Sequence, residues 1–186
     1  MNGPSIVIAA EALAAMHRAG EAALPRETGG ILAGFRSGET IVVTRALLVA
    51  DPASTHVTYE LDQARAKAAL DGLRADAPPV VGFVGDWHTH PRDAPPSMLD
   101  LDSLTRSAGD TTDHVALLVL PYTGARPGPT YARFAAVVVS RPGRARSRRR
   151  VRIHDVGLLL TDIEAGALEL EAQDTSERAA ARLERP

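Results

Sequence analysis

The stretch WHTHPRDAPPSMLD, residues 87–100, gathers the side chains best suited to chemistry. His88 and His90 sit two apart in a run of strand-forming residues, and alternate strand residues share a face, so both imidazoles can reach one metal ion. Pro91 cannot continue a central ladder and turns the chain out of the sheet. The loop RDAPP then leads into a helix starting at Ser97, with Asp100 on its first turn, where the helix dipole favours a carboxylate. Two imidazoles and one carboxylate leave a fourth tetrahedral position for water, the mark of a catalytic rather than a structural zinc site. Each piece alone has a plainer explanation. His-x-His occurs by chance, Ser97-x-x-Asp100 reads as a capping-box N-cap, and Pro95-Pro96 simply precede a helix. Their combination is what points to a metal centre.

The elements that must position these groups alternate between strand and helix. Spacing predicts an alanine-rich helix over residues 10–20, with Leu13 and Met16 toward the core. Strands are predicted at 29–34, beginning near Glu27, at 40–49 and at 56–60. A charged amphipathic helix over 61–75 is stopped by Pro78-Pro79. A strand at 80–87, a helix at 97–108 and strands at 115–120, 132–140 and 151–156 follow. The last helix is predicted over 162–171, ahead of a polar tail expected to fray. This is the pattern of an α/β fold with a mixed sheet flanked by helices. The expected division is one domain over residues 1–160, with a C-terminal helix and partly disordered tail at 161–186.

Composition sets the outer bounds. The chain has 186 residues, 45% of them hydrophobic, enough for one domain with a full core. No run of about 18 apolar residues is present, and the N-terminus lacks the features of a signal peptide, so a cytoplasmic location is expected. With no cysteine, any metal must be held by His, Asp and Glu, which excludes zinc ribbons and fingers. Seven arginines fall between Arg141 and Arg152, leaving 14 basic residues against 23 acids elsewhere, a net charge near −9. Such a cluster can attract nucleic acid. No aromatic residue interleaves it, however, and it joins two strand-like runs, so a solvated hairpin loop is the preferred reading. His17, His56, His114 and His154 lack ligand spacing, and Trp87 points away from the histidine face toward the core.

His-x-His-Pro, a short loop and Ser-x-x-Asp together resemble the signature of the JAMM (MPN-plus, JAB-domain) zinc metalloproteases. That family also places a glutamate upstream, before a glycine-rich strand, which is similar to Glu27-Thr-Gly-Gly-Ile-Leu-Ala-Gly34 here. Five residues separate Pro91 from Ser97, where the family commonly has six. Asp93 and Asp102 are the other nearby carboxylates, and Asp100 is the one that keeps the Ser-x-x-Asp spacing. The resemblance implies a single JAB/MPN domain with a cytidine-deaminase-like fold and Zn2+ held by His88, His90 and Asp100. It makes Glu27 the general base and Ser97 the donor to the oxyanion. Asp86, on the histidine face of its strand, is a candidate to orient the imidazoles.

The substrate implied is an amide bond after the C-terminal tail of a ubiquitin-like protein, cleaved in deconjugation or precursor processing. Such a tail is expected to add a strand to an exposed sheet edge near the metal. The run Gly85-Asp-Trp-His-Thr-His-Pro91 is most similar to bacterial members found beside activating- and conjugating-enzyme homologues, often in antiphage operons. Release of an amino acid from a sulfur-carrier protein would use the same zinc site. A catalytically inactive MPN scaffold is the alternative of another class, opposed by the complete set of Glu27, His88, His90, Ser97 and Asp100.

Overall fold

Hydrophobic alternation along the chain resolves into one mixed sheet. A computed structural model describes residues 3–111, 113–139 and 149–183. The strands are β1 (Ser5–Ala9), β2 (Gly29–Ser37), β3 (Thr40–Leu48), β4 (Gly82–His90), β5 (Val115–Thr123), β6 (Arg126–Pro127), β7 (Tyr131–Val139), β8 (Arg149–Asp155) and β9 (Leu158–Thr161). The helices are α1 (Ala10–Ala23), α2 (Gln63–Asp76), α3 (Met98–Thr111) and α4 (Ala165–Leu183). Sheet order is β8-β7-β5-β4-β2-β3-β1-β9, with β6 pairing β5 off this path. β4 runs parallel to β5, and β1 runs parallel to β3 and β9; the other pairings are antiparallel.

The two faces of the sheet carry different cores. On one face Met16 of α1 and Ala165 of α4 pack with Ile6, Ile8, Leu32, Val43, Trp87 and Leu118. On the other, α2 covers Ile31 and Val49 through Ala66, while α3 covers Val115, Leu117 and Val119 through Leu104 and Ala108. Val84 and Trp87 are three apart yet belong to the same core, which strict alternation forbids. A register shift opposite Leu32 and Ala33 resolves this: Val84 is an extra residue in β4, and the bulge resets the face of everything after it. Asp86, His88 and His90 therefore all follow the α2–α3 side, opposite Trp87.

Sequence spacing and structure differ in several places. Residues 56–60 form no strand. Their polar groups are satisfied locally, by Thr55 N–H donating to Thr58 O and Glu60 N–H donating to the Asp51 carboxylate. β1 was not anticipated, because SIVIA runs into α1 without any turn residue to separate them. β9 was also missed, its LLLT run being too short for a periodic signal. The final helix reaches Leu183 rather than ending near residue 171, drawing on alanine, glutamate, glutamine and arginine, all strong helix formers. The arginine-rich connection lies largely outside the described residues, although β7 and β8, the strands it joins, pair as the predicted hairpin.

α4 is pinned to the sheet by one buried acid. Glu169 is 1% exposed, accepts from the Thr44 hydroxyl at 2.7 Å and accepts from Nε and Nη2 of Arg45 at 2.9 Å each. Burial alone would raise its pKa, but the hydrogen bonds from Arg45 and Thr44 outweigh that and hold it below the usual 4.5. Its stabilising contribution is thus complete above pH 4.5 and is lost as pH falls through the lower native pKa. Glu169→Ala is expected to cost about 2 kcal/mol, allowing for water reaching the half-exposed Arg45, and Glu169→Gln should flatten the acid side of a plot of Tm against pH. Thermal melts between pH 3 and 7 check both. Gly30 provides a second prediction. A Cβ there would lie 1.9 Å from the Leu47 carbonyl oxygen, a backbone atom that cannot swing aside. Gly30→Ala is accordingly expected to cost roughly 1–3 kcal/mol in chemical denaturation.

Candidate metal centre

Interior pairing fixes the two histidines. β4 is hydrogen-bonded on one side by β2, Gly29 lying opposite His88, and on the other by β5, with His88 opposite Val119 and His90 opposite Pro121. The histidine strand is therefore interior and has no free edge of its own; the sheet path ends at β8 and β9, and β6, paired to Tyr122 and Thr123 of β5, is the terminal strand nearest the histidines. Beyond the end of β2 the clamp continues. Thr89 N–H donates to Thr28 O at 2.8 Å, while Thr28 N–H donates to the Thr89 hydroxyl at 3.0 Å. That reciprocal pair places Glu27, one residue earlier, next to the histidines.

Ser97 and Asp100 are set by the start of α3. Ser97 N–H donates to the Asp100 carboxylate, and Asp100 N–H donates to Ser97 Oγ at 3.3 Å. This is the reciprocal cap that the Ser-x-x-Asp spacing predicts. The same carboxylate turns inward, with Oδ1 3.3 Å from His88 Nε2 and Oδ2 3.6 Å from His90 Nε2. The two Nε2 atoms are themselves 3.1 Å apart. Asp93 and Asp102 are exposed and take no part.

These spacings suit a shared cation. Ligands held at about 2.0–2.1 Å around a tetrahedral ion lie about 3.3–3.4 Å from one another. The 3.1 Å between the two Nε2 atoms, and the 3.3 and 3.6 Å from His88 to Oδ1 and His90 to Oδ2, lie near that value, each histidine facing a different Asp100 oxygen. Tautomers agree as well. His90 Nδ1 lies 3.0 Å from Ala94 O, an atom that can only accept, so Nδ1 carries the proton and a neutral His90 presents its Nε2 lone pair to the cluster. His88, His90 and Asp100 thus form a group able to hold a metal ion.

Charge within the cluster is strongly biased. Burial would raise the Asp100 pKa, but the hydrogen bonds that the His88 and His90 rings donate from Nε2 when protonated hold it far below the ordinary carboxylate range. For His90 burial acts to lower the pKa, and the Asp100 and Ala94 contacts overcome it to leave a net rise. Glu27, 9% exposed, is shifted upward, mainly by burial, against the opposing pull of His90 and His88. A carboxyl in that environment exchanges protons closer to neutrality than a surface acid does.

The remaining candidates sort themselves by geometry. Ser97 Oγ accepts from Asp100 N–H, which leaves the hydroxyl proton free to donate, and the residue is exposed. Asp86 does not orient the histidines. No hydrogen bond joins it to either ring, its Oδ1 is buried without a partner, and burial pushes its pKa up to about 7. The carbonyl of Ala94 does the orienting for His90, and a backbone group leaves no signal in the sequence. His17 contacts Tyr122 at 3.4 Å, His114 packs on Phe134, and His56 and His154 are exposed. Trp87, 1% exposed, is a core residue. No helix among the described residues is long and apolar enough to cross a membrane.

A cavity of about 760 Å³ opens between α2 and α3 and reaches His88 and Asp100. Tyr59 lines it from the segment before α2 and donates its hydroxyl to Val49 O at 2.9 Å. Spacing gave no hint of this residue, since its place depends on how residues 50–62 cross over β2.

Known proteins share this framework. Over 98 residues the chain is 29% identical to a "CD-NTase/cGAS isopeptidase" from Escherichia coli (strain TW11681), a match covering 50% of this chain and 61% of that protein. The fold is similar to the solution structure of a protein from Desulfitobacterium hafniense, with a TM-score of 0.60 at 20% identity over 86% of this chain and 94% of that one. Residues 9–153 match the prokaryotic homologs of the JAB domain, a span that takes in Glu27, both histidines and the α3 carboxylate, and the chain belongs to that family.

Proposed function

We propose that the protein is a zinc-dependent isopeptidase that hydrolyses the amide bond following the tail of a ubiquitin-like protein. The observation that carries this reading is the convergence of His88 Nε2, His90 Nε2 and the two Asp100 carboxylate oxygens, with separations of 3.1–3.6 Å, near a buried glutamate. The name of the Escherichia coli relative, an isopeptidase, supports the reaction class.

Zinc held by His88, His90 and Asp100 would supply an acidified water and polarise the scissile carbonyl. Glu27 takes up the proton released as water attacks, and its raised pKa suits it to return that proton to the departing amine. Ser97 donates its free hydroxyl proton to the carbonyl oxygen as charge develops there. Ala94 O keeps the His90 ring in one tautomer, and the Ser97 amide keeps the Asp100 carboxylate aimed inward. The substrate enters along the cavity between α2 and α3, since the histidine strand offers no free edge. Homologues of activating and conjugating enzymes would be the partners that make the conjugate.

Metal analysis paired with cleavage of a ubiquitin-like fusion tests this directly. Bound zinc near one equivalent is expected, and a chelator should abolish cleavage until zinc is restored. Glu27→Gln is expected to keep its zinc while the rate falls by roughly 10²–10⁴-fold. Full activity in that variant would remove Glu27 from the mechanism. A zinc-loaded protein inert toward every conjugate offered would point instead to an assembly role.

A further inference from the structure

Asp86 is a partly buried residue that carries the one buried side-chain polar atom without a hydrogen-bond partner among the described residues, and the metal centre leaves its position unexplained. Its Oδ1 has no hydrogen-bond partner, and no cationic side chain among the described residues pairs with it. A carboxylate removed from water without a partner is costly, and native structures rarely keep one without a use. Packing does not require it either: Asp86 lines the α2–α3 cavity with Ile31 and Leu117 directly opposite it on the neighbouring strands and Phe83 nearby on its own. Such a position would be filled more stably by another apolar residue.

The cavity also selects by charge. Around it stand Glu60, Asp86, Asp100 and Asp110, against Lys67 and Arg106; Asp100 is engaged by the histidines, and Lys67 is already bound to Asp71. The surplus is acidic, and it surrounds a space large enough for a long side chain. Tyr59 adds an aromatic surface whose hydroxyl is committed to Val49 O, leaving its ring available to a cation. Position matters as much as charge. Asp86 and His88 are two apart on one face of β4, so their Cα atoms are separated by about 7 Å, the reach of a side chain near the reacting amide.

We propose that Asp86 is a specificity-determining residue, its carboxylate receiving the guanidinium or ammonium group of a basic side chain close to the scissile amide. This deepens the peptidase reading and rests on it for the word substrate. An apolar stem would lie along Ile31, Phe83 and Leu117, with the charged end at the Asp86 oxygens. The arrangement suits arginine or lysine and rejects an uncharged chain of equal length, which would bury the carboxylate still unpaired.

Binding can be read without turnover. Metal-free protein is titrated by NMR with Nα-acetyl-arginine N-methylamide and with the norleucine analogue, which has an apolar side chain of similar reach. The arginine probe is expected to bind about ten-fold more tightly, equivalent to about 1.4 kcal/mol, and to shift the amide signals of Ile31, Phe83 and Asp86. In Asp86→Asn, confirmed as folded by its melting curve, the preference should shrink to less than two-fold. Equal binding of the two probes, shifts confined to other surfaces, or an undiminished preference in the folded variant would each overturn the proposal. The wild-type comparison decides the matter even if the variant does not fold. Loss of peptide cleavage with zinc bound would undo the peptidase reading while leaving the arginine preference standing, so the two failures are distinct.

Discussion

Two imidazole nitrogens 3.1 Å apart, with a carboxylate closing on both, form a cluster whose lone pairs repel unless positive charge lies among them. Rigid surroundings are therefore needed to keep the three groups facing one another. The protein meets that need by placing both histidines on an interior strand, hydrogen-bonded from two sides, where the backbone has no room to withdraw. The carboxylate arrives from a helix whose first turn is locked by its own cap. Almost everything else on this side of the sheet follows from holding that geometry.

Asp100 serves two purposes at once. It closes the α3 cap through the Ser97 amide and meets both histidines with the same carboxylate. Helix start and cluster are thus one structure, so the loop between His90 and Ser97 has little freedom in where it delivers the helix. Ala94 within that loop fixes the His90 ring. The five-residue length of the connection is compatible with Asp100 reaching the histidines, because the cap rather than the loop aims the carboxylate.

The two faces of the sheet divide the labour. The α1 and α4 side carries the larger apolar core and a buried ion-pair network at Glu169, satisfied by Thr44 and Arg45. On the α2 and α3 side the helices stand apart over a cavity with an unsatisfied carboxyl at its floor. A fully paired acid reads as structure. An unpaired one bordering open space reads as a site that waits for a partner.

The chemistry was legible in the sequence to the extent that it is local. His88, His90, Ser97 and Asp100 lie within thirteen residues, and strand alternation, a proline stop and a capping box are rules that act over that range. Glu27 was found only through a family resemblance, since nothing in its own neighbourhood brings it to residue 88; the Thr28–Thr89 clamp does that. The tertiary structure alone decided that the histidine strand is interior, that Val84 bulges and resets its face, and that Asp86 opens onto a cavity instead of supporting a histidine. It also decided the roles of Ala94 and Tyr59. Pairing partners, bulges and voids are set by contacts between residues far apart in the chain, and spacing along one strand carries no record of them.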